Sequence, residues 1–174
     1  MVVRVVGFGL LLTFLGSCVE SHSCTEIGCA DAAGAIIRTE SGEWPAGVYT
    51  LDVSFDSQVY QCSFTMPDDL PEMAGQGAAL ECDDPALYAY FSPRVTCKET
   101  SNGNSVSQSC TPIENQFDLQ LSTYGTPAEL GVELKRDDSV LVDESHTLAY
   151  EEYFPNGPEC GPACRQADVS IAIP

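Results

Sequence analysis

Nine cysteines, two histidines and 26 acidic side chains are the groups in this 174-residue chain with chemistry to offer. The cysteines are Cys18, Cys24, Cys29, Cys62, Cys82, Cys97, Cys110, Cys160 and Cys164. Cys160 and Cys164 have three residues between them and no histidine nearby. That spacing departs from paired zinc ligands and from the Cys-x-x-Cys of thiol oxidoreductases, so oxidation to cystine is the expected fate. His22 and His146 are the whole supply of neutral-pH bases. His146 ends the run Asp143, Glu144, Ser145, His146, which reads as an exposed acidic loop. Neighbours in sequence do not build a catalytic triad, and no Gly-x-Ser-x-Gly elbow is present to raise a nucleophile. The carboxylates cluster at Asp68, Asp69 and Glu72, at Asp83 and Asp84, at Asp137 and Asp138, at Asp143 and Glu144, and at Glu151 and Glu152. Calcium needs about six to eight oxygens, and the alternating Asp spacing of a calcium loop is missing. A solvated acidic surface is therefore favoured over a metal site. No cofactor is expected.

Charge excludes whole classes of partner. The formal net charge is −19, with 26 Asp and Glu against seven Lys and Arg. Nucleic acid is held by cations that neutralise phosphates, and anionic lipid headgroups repel such a chain for the same reason.

The first segment is an address. A single Arg4 precedes an apolar stretch from Val5 to Leu15, far short of the ~20 residues a spanning helix needs. Residues 1–17 thus read as a signal peptide. The run Leu15, Gly16, Ser17, Cys18 resembles the lipobox of bacterial lipoprotein precursors. The resemblance implies that Cys18 receives a diacylglyceryl group through its thiol and becomes the first residue of the processed chain. Two or more acyl chains are what stable anchoring requires. Val19 is not the Asp that resembles an inner-membrane retention signal, so the implied address is the outer membrane, at its periplasmic face or at the cell surface. Parity agrees: with Cys18 set aside, eight cysteines remain for four bridges.

Residues 18–33 have no period of either kind and are expected to form a tether, in which Cys24 and Cys29 either close a local loop or tie it to the body. The body, 34–174, alternates with period two. Tyr49, Leu51, Val53 and Phe55 share one face, as do Tyr60, Cys62, Phe64 and Met66, with Asp56, Ser57 and Gln58 closing a hairpin between them. Phe117, Leu119 and Leu121, then Leu130, Val132 and Leu134, then Val169, Ile171 and Ile173 repeat the pattern. Residues 67–77 have room for one helical turn at most, because Pro71 and two glycines interrupt them. Seven or eight half-buried strands need a second sheet to cover them. The expected fold is all-β: one antiparallel β-sandwich, immunoglobulin-like or prealbumin-like, stapled by disulfides. The Cys, Trp, Cys spacing of immunoglobulin domains is missing, since Trp44 precedes the first strong strand.

Three pairings follow from spacing. Cys97 and Cys110 are symmetric about Gly103 and Asn104, so a hairpin through Asn102–Ser105 sets them face to face. Cys62 faces inward on its strand and Cys82 shares parity with Leu80, so a bridge between Cys62 and Cys82 is a core staple. Cys160 and Cys164 lie in a turn-rich stretch where a local bridge fits. Tyr88, Tyr90 and Phe91, and Tyr150, Tyr153 and Phe154, form two aromatic knots, which fill sandwich corners more often than they stack on sugars. The tail Tyr150–Ala167 resembles a motif of small Cys-rich bacterial lipoproteins of unknown function. The expected protein is a cell-envelope lipoprotein carrying a non-catalytic binding or structural module, bound to the membrane by Cys18, with an envelope protein or glycan as partner. The alternatives are an extracytoplasmic hydrolase using carboxylates and a calcium-stabilised adhesion domain.

Overall fold

A computed structural model describes residues 28–66, 68, 77–101 and 106–174. These form ten strands: β1 (Ala32–Thr39), β2 (Gly47–Phe55), β3 (Gln58–Met66), β4 (Ala78–Ala79), β5 (Tyr88–Ser101), β6 (Val106–Tyr124), β7 (Glu129–Arg136), β8 (Ser139–Thr147), β9 (Glu151–Tyr153) and β10 (Cys164–Ile173). Six build one sheet in the order β4-β5-β6-β1-β10-β9, and four build the other in the order β3-β2-β7-β8. The two pack face to face, as the alternating patterns require. The fold is an all-β, disulfide-stapled sandwich. One pairing departs from the antiparallel expectation: β1 and β10 run parallel, with Ala32 opposite Gln166 and Thr39 opposite Ile173.

The alternating residues meet in the core. Tyr49, Leu51, Val53, Leu130, Leu134, Leu119 and Phe91 are fully buried. The chain passes from one sheet to the other between β1 and β2, and Trp44 plugs that crossing. Its ring meets Tyr49, Phe64 and Phe91 edge-on at centroid distances of 5.7, 6.0 and 5.1 Å, and its indole N–H donates to the Phe117 carbonyl at 2.9 Å. The indole both fills the end of the core and satisfies a backbone acceptor there.

β1 begins at Ala32, and Ala33 is already buried, so the body starts two residues before the expected end of the tether. The residues just before it are fastened as well. Cys29 is bonded to Cys164, and the Asp31 carboxylate accepts from the Arg165 backbone N–H at 2.8 Å and from its guanidinium at 2.8 and 3.2 Å. This corrects one expectation, since Cys160 and Cys164 are not bridged to each other; of the two alternatives for Cys29, the tie to the body is the one formed. The parallel register explains it. With Ala32 opposite Gln166, extending both strands backwards brings Cys29 alongside the start of β10, where the Cα atoms are 5.8 Å apart. Cys160 is also disulfide-bonded. The pairs Cys62–Cys82 and Cys97–Cys110 are formed as spacing suggested. Cys18, Cys24, His22 and the helical turn expected within 67–76 lie outside the described residues, apart from Asp68, which is in a turn.

Two measurements test this packing. Trp44→Ala removes the plug and leaves the Phe117 carbonyl without its donor; chemical denaturation should show a loss of about 3–5 kcal/mol. The Arg165 backbone N–H first, and then its guanidinium, hold the Asp31 carboxyl below its ordinary value of 3.8. A depressed carboxyl contributes stability that is complete above the unfolded-state value and vanishes as pH falls through the folded-state value. Thermal unfolding midpoints of the wild type should therefore fall more steeply below about pH 4 than those of Asp31→Asn; parallel curves refute the contact's role.

Candidate functional site

The outward residues of the six-stranded sheet follow from period two and the register. β6 presents Asp118, Gln120, Ser122 and Tyr124, β5 presents Tyr88, Tyr90, Ser92 and Arg94, β1 presents Gly34, Ile36 and Arg38, and β10 presents Asp168 and Ser170. In cross-strand rows, Tyr88, Ser122, Gly34 and Asp168 stand side by side, followed by Tyr90, Gln120, Ile36 and Ser170.

Three adjoining concavities follow this face along β6. A mostly apolar hollow of about 250 Å³ lies among Ala32, Tyr88, Tyr90 and Tyr124. A smaller one of about 170 Å³, between Ile36, Tyr90, Gln120 and Asp168, shares Tyr90 and Ser122 with the first. A wide groove of about 1000 Å³ continues from Gln120 past Asp118, Arg38 and Arg94. Together they make one trough. From Tyr124 to Asp118 it runs about 20 Å, at ~3.4 Å per residue. Gly34 sets its floor: a Cβ there would stand 2.5 Å from the Leu121 carbonyl oxygen and 3.0 Å from a carboxylate oxygen of Asp168. The bare backbone lets Asp168 lie across the floor.

The aromatic end is open. Tyr124, Tyr88 and Tyr90 are 67%, 51% and 38% exposed. Tyr88 and Tyr124 pack edge-to-face at 5.7 Å, and the Tyr90 hydroxyl donates to the Gln120 side-chain oxygen, so the rings are held in place. The expectation that Tyr88 and Tyr90 fill a corner is corrected. Of that knot only Phe91 is in the core, because its neighbours alternate to the outer face. In the second knot Tyr150 is partly buried, with its hydroxyl donating to the Pro127 carbonyl at 2.9 Å and its ionisation pushed up by burial, while Tyr153 and Phe154 are exposed.

The opposite end of the trough is the root of an arm. Beyond Pro93 the register of β5 and β6 breaks: Pro93 faces Phe117 but Val95 faces Pro112, so four residues of β6 bulge out opposite Arg94. From Val95 to Ser101 and from Val106 to Thr111 every residue is exposed on both faces. This two-stranded arm extends about 20 Å from the root. Asp118, only 14% exposed, ties the root together: one carboxylate oxygen accepts from Arg94 Nε at 2.7 Å and the other from Arg38 Nε at 3.1 Å, while Arg94 Nη2 donates to the Thr39 carbonyl at 2.7 Å.

The histidine pairs with a carboxylate, and several other carboxylates serve the backbone. His146 is half-buried within β8, not on a loop, and pairs with Glu144 at 3.1 Å. Register puts His146 and Glu144 on the core side with Leu130 and Val132, and Ser145 on the outer side with Gly131, so adjacent residues form no triad. Asp56, at φ 54°, accepts from the Ala128 and Glu129 amides; Asp137, at φ 47°, accepts from Val48; Asp83 and Asp84 accept from Gln61 and Ala86. Asp143 lies in a cross-strand row with Glu133 and Asp52 on the other sheet. There Lys135 is held charged above its ordinary value, first by the hydrogen bond it donates to Glu133, with the Asp52 and Asp143 charges adding. Among the described residues no group of three or more His, Cys, Asp or Glu is placed to hold a metal ion.

Sequence reasoning missed Arg38, Arg94, Asp118, Gln120 and Asp168. The signal was present in the outward parity of Tyr88, Tyr90, Ser92 and Arg94, read together as one strand. No protein-family model matches the chain, and neither the curated proteins nor the solved structures contain a significant match.

An isolated two-stranded hairpin is marginal in water, and the Cys97–Cys110 staple is what holds this one. The double variant Cys97→Ser with Cys110→Ser should leave the global unfolding midpoint nearly unchanged. Hydrogen exchange at residues 95–101 and 106–111 should rise to nearly unfolded rates. Continued protection of those amides rules this out.

Proposed function

We propose that this protein is a cell-envelope lipoprotein, anchored by lipid on Cys18, whose sandwich is a non-catalytic binding module that presents its arm away from the membrane and carries the trough along one face. The observation that supports this reading most is polar placement. Gly28 leads into β1 at the end of the sandwich where β5 begins and β6 finishes. The arm leaves from the other end, beyond Thr39. A chain tethered through residues 18–27 thus carries its anchor at one pole and its projecting hairpin at the other.

Cysteine bookkeeping supports the same reading. All seven described cysteines are disulfide-bonded, six of them in the pairs already given. Lipid on Cys18 leaves Cys24 as the partner of Cys160. Such oxidation belongs to an extracytoplasmic compartment. Of the carboxylates that could have served hydrolysis or calcium, Asp83, Asp84 and Asp137 are engaged with backbone amides, which favours a module that binds.

Intact-mass and non-reducing peptide analysis of envelope-derived protein should find an N-terminus at Cys18 carrying added acyl mass, together with a Cys24–Cys160 linked peptide. A mature N-terminus elsewhere, or Cys18 recovered in a disulfide, overturns the anchoring.

A further inference from the structure

We infer that the trough on the outer face of the six-stranded sheet binds a neutral, β-linked pyranose oligosaccharide; this deepens the reading of the sandwich as a non-catalytic binding module. Three features select that ligand. First, Tyr88, Tyr90 and Tyr124 offer broad ring surface to solvent, with Tyr88 braced by Tyr124 and Tyr90 by Gln120. A pyranose ring with equatorial substituents has an apolar C–H face that stacks on such rings, at low cost in side-chain entropy.

Second, the floor continues from the aromatic end into groups that exchange hydrogen bonds with hydroxyls. Asp168 lies across Gly34, Gln120 stands in the next row, and Asp118 follows with its two arginines. An apolar peptide would take the remaining hydrogen-bonding capacity of these groups out of water. Hydroxyls on every ring supply donors and acceptors along the whole length.

Third, the local charge is close to balance. In a chain of net charge −19, two of the seven basic residues, Arg38 and Arg94, are placed at this trough beside Asp118, Asp168 and Glu40. Anionic polymers are repelled by the rest of the molecule, and cationic ones find the nearest carboxylate already shared by two guanidiniums. A neutral polymer meets neither penalty. The linkage follows from shape: the trough follows one extended strand, β6, from Tyr124 to Asp118, which suits the extended chains of β-linked sugars better than the curved chains of α-linked ones.

The test uses the full chain purified in detergent, titrated by calorimetry with three hexasaccharides: β-1,4-linked N-acetylglucosamine, β-1,4-linked glucose and α-1,4-linked glucose. Submillimolar binding of at least one β-linked probe is expected, with at least tenfold weaker binding of the α-linked one. Tyr90→Ala and Tyr124→Ala should each weaken binding at least tenfold, whereas Val59→Ala, on the outer face of the other sheet, should not change it. Tyr124 is 67% exposed, so its truncation leaves the fold intact, which an unchanged unfolding midpoint verifies. No binding of either β-linked probe, or binding insensitive to both tyrosine variants, overturns the glycan site and leaves the binding-module reading standing with a protein partner. Release of new reducing ends from a bound probe overturns the non-catalytic reading and leaves the site standing.

Discussion

The joint at Phe117 and Asp118 is the contact on which the molecule's shape depends. β6 is 19 residues long and must be solvent-exposed arm over its first part and core strand over its last. Phe117 is the first buried residue after the bulge, and it lies just past Leu119, the last β6 residue paired with β1. Its backbone would lose partners there. The loop after β1 supplies them instead: the Phe117 amide donates to the Gly42 carbonyl at 2.9 Å and its own carbonyl accepts the Trp44 indole proton. On the other side Pro93, which has no amide proton, stands opposite, where a central ladder hydrogen bond is not demanded. One residue on, Asp118 fixes Arg94 of β5 and Arg38 of β1. Core, crossover loop and arm are thus clamped within two residues.

The acidic composition finds its structural use in turns. Asp56, Asp137 and Asp138 all take positive φ, where glycine or asparagine is usual, and the first two also accept backbone amides that the turn would leave unpaired. Asp137 and Asp138 together occupy the two-residue turn between β7 and β8, whose hand matches the strand twist. On β8, an edge strand, Glu144 points to the core side. A charge so placed discourages a second strand from adding to that edge. Acidic side chains therefore shape turns and guard an edge here: Asp137 and Asp138 mark a hairpin, whereas Asp143 with Glu144 and Glu151 with Glu152 lie within strands.

Half-buried strands were legible because one face of each is wet. Tyr49 to Phe55, Tyr60 to Met66 and Leu130 to Leu134 alternate in sequence as they do in the core. β1 was not legible for the opposite reason. Ala33, Gly34 and Ala35 are buried in succession in the middle of the sheet, so the run Ala-Ala-Gly-Ala shows no alternation. Its parallel pairing with β10 is a long-range choice with no local signature, and the bond from Cys29 to Cys164 inherits that invisibility. The Cys97–Cys110 bond was legible because it depends only on hairpin symmetry. The trough falls between these cases: Tyr88 and Tyr90 were noticed and Tyr124 was not, and the outward direction of the first two is set by Phe91 pointing inward on a strand whose exposed far half hides its period.

The arm and the trough are not independent features. Both end at Arg94, whose guanidinium is divided between Asp118 and the Thr39 carbonyl. In low-dielectric surroundings a guanidinium left without its carboxylate is costly, so Asp118 holds the arm root for as long as both arginines remain on it. A polar occupant of the wide groove competes for the same donors and acceptors, and the outermost partner, Arg38 at 48% side-chain exposure, is the one it reaches first. Arg94, at 21%, is shielded behind it and keeps the arm in place. The geometry thus separates a contact that can be exchanged from one that cannot, which lets the face be occupied without releasing the hairpin that stands at its end.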